Sequence, residues 1–210
     1  MERDWREWHR EYDDPESRLS RRLRVVQGYV RDALDRCAPG PIRVVSACAG
    51  EGRDLLAVLE DHPRAGDVTG RLLELDPDLA ATAAARTPAG IEVVCGDASN
   101  TSAYDGAVPA DVVLLCGIFG NISDTDIEHT VRLAPTLCAP GASVIWTRHR
   151  LPPDRTVDIR RWFGAAGFAE RGFHGADDQL FAVGVHQLVV APQPFEPGIE
   201  LFRFVGYGVV

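Results

Sequence analysis

Between positions 15 and 36 the apolar residues Leu19, Leu23, Val26, Val30 and Leu34 recur at helical spacing, and arginines fill the opposite face. This pattern predicts one amphipathic helix. Asp14 ahead of Pro15 reads as its N-cap, with proline in the first turn. Upstream, Trp5, Trp8 and Tyr12 fall at i, i+3 and i+7, an aromatic stripe on a short leading helix. After Pro39-Gly40-Pro41 the pattern changes, and short apolar runs alternate with helical segments. Strands are expected at 42–47, 68–75, 91–95, 110–116, 143–147, 168–173 and 181–190. Helices are expected at 53–59, 78–86, 124–137 and 157–166. Such alternation describes a doubly wound α/β fold, a mostly parallel sheet covered on both faces. With no repeat and no low-complexity linker, residues 1–210 read as a single domain. A helical segment (1–37) precedes an α/β core (40–190), and a proline-containing tail (191–210) follows, in which 201–205 reads as a short edge segment.

Composition narrows the chemistry. Of the 210 residues, 45% are hydrophobic and 25% charged, an ordinary globular balance. The net charge of −9 gives a field that repels nucleic acid, and no basic stripe offsets it. All 22 basic residues are arginine, which removes lysine Schiff bases and a phosphate-loop lysine. The five cysteines, at 37, 48, 95, 116 and 138, include no CxxC pair. A disulfide framework and a zinc site are therefore not expected, and the compartment reads as the reducing cytoplasm. The first ten residues carry no apolar signal core, and no apolar run reaches membrane-spanning length.

The densest chemistry lies in Val44-Val45-Ser46-Ala47-Cys48-Ala49-Gly50-Glu51-Gly52-Arg53-Asp54. It reads as a buried strand, a small-residue turn and a helix start. Small residues at Ala49, Gly50 and Gly52 let a ligand approach the backbone. A dinucleotide site would carry a third glycine three positions after the second, but Leu55 stands there. Glu51 and Asp54 flank the turn and disfavour a pyrophosphate. A second acid closes the next strand, at Leu72-Leu73-Glu74-Leu75-Asp76-Pro77, and a third signal, Gly96-Asp97-Ala98, follows the one after. The series describes a pocket for an adenosine-containing cofactor without phosphate.

In these motifs the chain resembles the class I S-adenosylmethionine-dependent methyltransferases. Their first motif, V-[LV]-D-x-G-x-G-x-G, reads here as VVSACAGEG, with Ser46 in place of the aspartate and Cys48 in place of the first glycine. The resemblance implies that Ser46, Cys48, Ala49, Gly50 and Gly52 line the cofactor. It puts Glu74 on the ribose hydroxyls, with Leu75 beside it and Asp76 as the near alternative. It sets Asp97 on the adenine amino group, with Ala98 beside the ring. Cys116 and Gly117, after the fourth strand, correspond to the backbone lining the sulfonium, where plain strand-end packing is the other reading. Cys138-Ala139-Pro140-Gly141-Ala142 matches the turn before strand five. Arg53 is a candidate for the cofactor carboxylate. The leading helix is either core or a lid carrying Tyr12 against the cofactor and Trp5 and Trp8 against the acceptor; it also suits a homodimer interface.

For the acceptor side, His149 reads as a proton acceptor or as a solvated loop histidine. Arg148 suits an acceptor carboxylate, and Asn121 lies in a loop where the family places acceptor or catalytic side chains. His186 reads as structural. The resemblance implies seven strands with an antiparallel last strand, S-adenosylmethionine as cofactor, no metal, and methyl transfer to oxygen or nitrogen of a small molecule. The alternatives are a non-catalytic S-adenosylmethionine-binding homologue, a nicotinamide-dependent oxidoreductase and a macromolecular methyltransferase.

Overall fold

The computed structural model describes residues 10–175 and 180–205. Among these residues seven strands form one sheet: β1 (Ile42–Ala47), β2 (Val68–Glu74), β3 (Ile91–Cys95), β4 (Ala110–Leu115), β5 (Cys138–His149), β6 (Phe168–His174) and β7 (Phe181–Leu188). Their order is β3-β2-β1-β4-β5-β7-β6. β7 is antiparallel to both of its neighbours, while β1 to β5 are mutually parallel where they pair. This is the doubly wound, mostly parallel sheet expected from the alternation of elements.

Among the described residues five α-helices flank the sheet: α1 (Arg18–Arg36), α2 (Arg53–Leu59), α3 (Pro77–Ala84), α4 (Asp124–Leu133) and α5 (Thr156–Ala165). Strand alternation divides the core in two. Val44, Leu72, Val112, Leu114 and Ile145 face one side, with Val26, Val30 and Leu34 of α1 and Leu55 and Leu56 of α2. Val45, Val113, Leu115 and Trp146 face the other, with Ile127 of α4 and Ile159 and Phe163 of α5.

Several boundaries differ from the sequence reading, each for a local reason. α1 is capped by Ser17, whose hydroxyl accepts from the Ser20 N–H. Asp14 instead accepts from the Glu16 N–H, in the turn before the helix. α4 stops at Leu133 and passes into a 3-10 turn, Ala134–Thr136, because Pro135 cannot continue the ladder. The Pro140-Gly141 turn is a bulge inside the long β5, with a register break opposite Ala110 and Val112.

The tail differs most. Its described part, to Val205, adds to no sheet edge. The crossover from β3 to β4 carries only a 3-10 turn, Thr101–Tyr104, and the tail covers the apolar surface left there. Leu201 and Phe202 are fully buried in the same core as Tyr104, Ala107 and Ile122.

Candidate functional site

The site is built at the carboxyl ends of β1, β2, β3 and β4. Beyond β1 the chain turns through three left-handed residues, Cys48 (φ 52°), Gly50 (φ 56°) and Gly52 (φ 71°). A side chain at Gly52 would bring a Cβ within 2.7 Å of Leu56 and 3.0 Å of Leu72, so the turn packs directly on the core. The Ala49 N–H bonds the Leu73 carbonyl at 2.9 Å, fastening the turn to the end of β2.

Glu74 closes this arrangement. One carboxylate oxygen accepts from the Gly50 N–H at 2.7 Å, and the other from the Asp76 N–H at 2.9 Å. The acid predicted for a ribose is thus held half-buried against the glycine turn. Asp76 instead caps α3, accepting from the N–H groups of Asp78 and Leu79. Leu75 projects from the rim, 65% exposed. Asp97 is exposed, and one oxygen accepts from the Ser99 N–H at 2.8 Å. Ala98 is buried, and its carbonyl accepts from the Tyr104 hydroxyl at 2.8 Å. Burial and the charges of Glu74 and Asp97 push the Cys48 thiol far above its ordinary range, so it stays neutral. Ser46 is buried in β1, behind the turn.

The loop after β4 forms the other half. The Gly117 N–H donates to Thr147 Oγ1 at 2.8 Å, and its carbonyl accepts from Asn121 Nδ2 at 2.7 Å. Gly117 has φ 78°, a left-handed conformation that suits glycine. Asn121 therefore shapes this loop. Cys116 is buried, and its thiol bonds the Asp54 carboxyl at the start of α2. Burial raises both groups above their ordinary values, and the nearby Arg22 charge works against this in each.

Arg22 links the N-terminal segment to this corner. Its Nη2 donates to the Tyr12 hydroxyl at 3.1 Å. Arg53 lies over the Tyr12 ring at 5.2 Å and pairs with Glu51 at 2.6 Å. Tyr12 is thus brought to the turn side of the site, and Arg53 is partnered by Glu51. The Arg22–Asp54–Cys116 cluster is absent from the sequence reading. Arg22 looks there like one more arginine on the polar face of a helix.

His149 ends β5. Its ring lies against Gly120, where a Cβ would meet Cδ2 at 3.0 Å. A hydrogen bond to the Gly120 backbone holds it, and Nδ1 is shielded from solvent with no partner among the described residues. Burial and the charges of Arg148 and Arg18 push the imidazole below its ordinary range; Asp154 and the Gly120 bond act the other way. The ring is neutral at pH 7.

Arg148 is buried, contrary to a role exposed to an acceptor. Its guanidinium donates to the Phe119 carbonyl and lies 3.9 Å from Asp124. It braces the β4 loop against α4. Trp5 and Trp8 lie outside the described residues. Among the described residues no group of three or more His, Cys, Asp or Glu side chains is arranged to hold a metal ion, and no helix is long and apolar enough to cross a membrane.

The fold is that of the Rossmann-like methyltransferases. Magnesium protoporphyrin IX methyltransferase from Synechocystis PCC 6803, solved with bound S-adenosylmethionine, superimposes with a TM-score of 0.65 at 11% identity, covering 87% of this chain and 90% of that one. The N-methyltransferase NodS from Bradyrhizobium japonicum, in complex with S-adenosylhomocysteine, gives 0.61 at 13% identity over 84% and 90%. A possible exported protein from Bordetella parapertussis gives 0.61 at 19% identity over 83% and 68%. No family model matches the chain, and no curated protein matches its sequence.

Proposed function

We propose that the chain transfers a methyl group from S-adenosylmethionine to a hydroxyl of a small molecule. One observation carries this reading: Glu74, at the tip of β2, holds the Gly50 turn through its carboxylate. An acid suited to a ribose thus lies beside a turn in which Gly52 has no room for a side chain. Each carboxylate oxygen still has a lone pair for a sugar hydroxyl. The carboxylates of Glu74 and Asp97, at the tips of β2 and β3, suit a nucleoside better than a pyrophosphate. Leu55 makes the same point, since it fills the third-glycine position of a dinucleotide site with a buried core side chain.

S-adenosylmethionine, when bound, supplies a methyl group on a sulfonium already activated by its charge. The protein's part is mainly alignment. Gly50 and Gly52 suit close backbone approach, Asp97 and Ala98 beyond β3 are the candidates for the adenine, and Cys116 and Gly117 form a small-residue wall at the tip of β4. The Gly117 loop is fixed by Thr147 and Asn121, so this wall is pre-organised. His149 is neutral, and its Nδ1, shielded from solvent and without a partner among the described residues, is suited to accept the proton of an acceptor hydroxyl once the ring turns toward the site. Burial, which with the charges of Arg148 and Arg18 keeps the ring neutral, also disfavours a protonated amine in the same place.

Calorimetry and thermal melting with S-adenosylhomocysteine and with NADH test the reading. S-adenosylhomocysteine should release heat and raise the melting temperature, and NADH should do neither. Stabilisation by NADH alone would replace the proposal with an oxidoreductase.

A further inference from the structure

We propose that residues 195–205 form a strap that sets the two cofactor loops relative to each other, with Thr101 as its positioning residue. The inference rests on the methyltransferase reading above and concerns a segment that no family motif includes. After β7 the chain runs back along the α4 side of the sheet. Gln193 bonds the Pro135 carbonyl at 3.3 Å, and the strap then reaches the loop after β3.

There it is held by one buried hydroxyl. Thr101, 1% exposed, donates from Oγ1 to the Glu196 carbonyl at 2.8 Å and accepts from the Ile199 N–H at 2.8 Å. The Thr101 N–H bonds the Ile199 carbonyl, and the Leu201 N–H bonds the Ser99 carbonyl at 2.6 Å. Asn100 and Glu200 form an antiparallel bridge. These contacts begin one residue beyond Ala98, in the loop that carries Asp97.

The strap then crosses α4, where Thr130 Oγ1 donates to the Leu201 carbonyl at 2.8 Å. It ends at the loop after β4. Ile122 bridges Phe204, and the Val205 N–H bonds the Asn121 carbonyl at 2.8 Å. Asn121 is the residue whose side chain holds the Gly117 carbonyl. One continuous segment therefore joins the adenine-side loop to the loop lining the methyl. Leu201 and Phe202 anchor it between them in the core, where the helix-free crossover leaves space. A displacement of the strap at Thr101 reaches both loops, because each bonds it through its own backbone.

The test compares Thr101→Val, which keeps the shape but removes both hydroxyl bonds, with Thr101→Ser, which retains them. Arg64→Gln is a destabilised control far from the site. S-adenosylhomocysteine affinity is measured well below each melting temperature, and amide hydrogen exchange is followed in residues 97–101 and 117–122. Thr101→Val should weaken affinity about tenfold and speed exchange in both loops. Thr101→Ser should restore both, and Arg64→Gln should change neither. Unchanged affinity in Thr101→Val, or faster exchange confined to the tail, overturns the inference while the wild type still binds. A wild type that binds no S-adenosylhomocysteine overturns the proposed function, and the inference with it.

Discussion

Glu74 and Cys48 show what single residues do at this site. Both oxygens of Glu74 accept backbone N–H groups, from Gly50 and Asp76. Glu74→Ala leaves two donors unpaired, which costs about 1–3 kcal/mol in stability. It should also abolish the heat of S-adenosylhomocysteine binding. Urea unfolding and calorimetry on the same variant separate the two effects, and full affinity in a destabilised variant would remove Glu74 from the ribose. Cys48 holds a left-handed conformation that costs a side-chain-bearing residue about 1–2 kcal/mol. A β-branched residue is still less tolerant there. Cys48→Val should therefore lower the unfolding free energy by about 1–2 kcal/mol or more. Cys48→Gly should stay within about 1 kcal/mol of the wild type, because relief of strain offsets the added chain entropy and the lost thiol packing. Denaturation midpoints of the two variants check the order.

At the scale of elements, the end of α1 depends on a residue 28 positions beyond it in sequence, since α1 ends at Arg36 and the clamp is Arg64. Arg64 Nη1 donates to the carbonyls of Leu34 and Cys37, and Nη2 to those of Ala38 and Gly40, at 2.7–3.2 Å. Its Nε pairs with Asp67 at 3.1 Å. The guanidinium fork thus satisfies carbonyls that the helix end and the following turn leave open. Arg64→Ala should cost about 2–3 kcal/mol, and Arg64→Lys should recover only part of it, because one ammonium cannot span four carbonyls. Thermal unfolding of both variants reads this directly. Helical periodicity placed α1 well enough, but nothing local in residues 18–36 announces Arg64. The opposite holds for α4, whose end is written in Pro135 itself.

Across the whole molecule, one buried ring gives stability a pH dependence. The indole N–H of Trp146 donates to His186 Nδ1 at 3.1 Å, and Phe163 stacks on the imidazole with centroids 4.4 Å apart. Burial lowers the His186 pKa to about 4, although Glu170 pulls the other way. An unfolded histidine titrates near pH 6.5. Below that value the unfolded chain takes up a proton that the folded chain refuses until about pH 4. Stability from this group is therefore complete above pH 6.5 and is lost as the pH falls through the window, by about 3 kcal/mol. His186→Phe should flatten that part of the profile, at the expense of an unpaired indole N–H. Urea midpoints near pH 7 and pH 4.5, in wild type and variant, measure the difference, and equal slopes would show that other groups dominate.

The sequence by itself determined the order and type of the elements. The bounds 42–47, 53–59 and 91–95 are those of β1, α2 and β3. It also marked the glycine turn and the acids at the tips of β2 and β3. These are local properties: side-chain periodicity, and left-handed backbone conformations that favour glycine. Only the tertiary structure decided that the tail replaces a crossover helix, that Arg148 is buried on Phe119 and Asp124, and that Arg22, Asp54 and Cys116 meet in one corner. Thr101 and Ile199 are 98 residues apart. A contact of that separation is set by how the sheet stacks its layers, and it leaves no period in either segment from which it could be read.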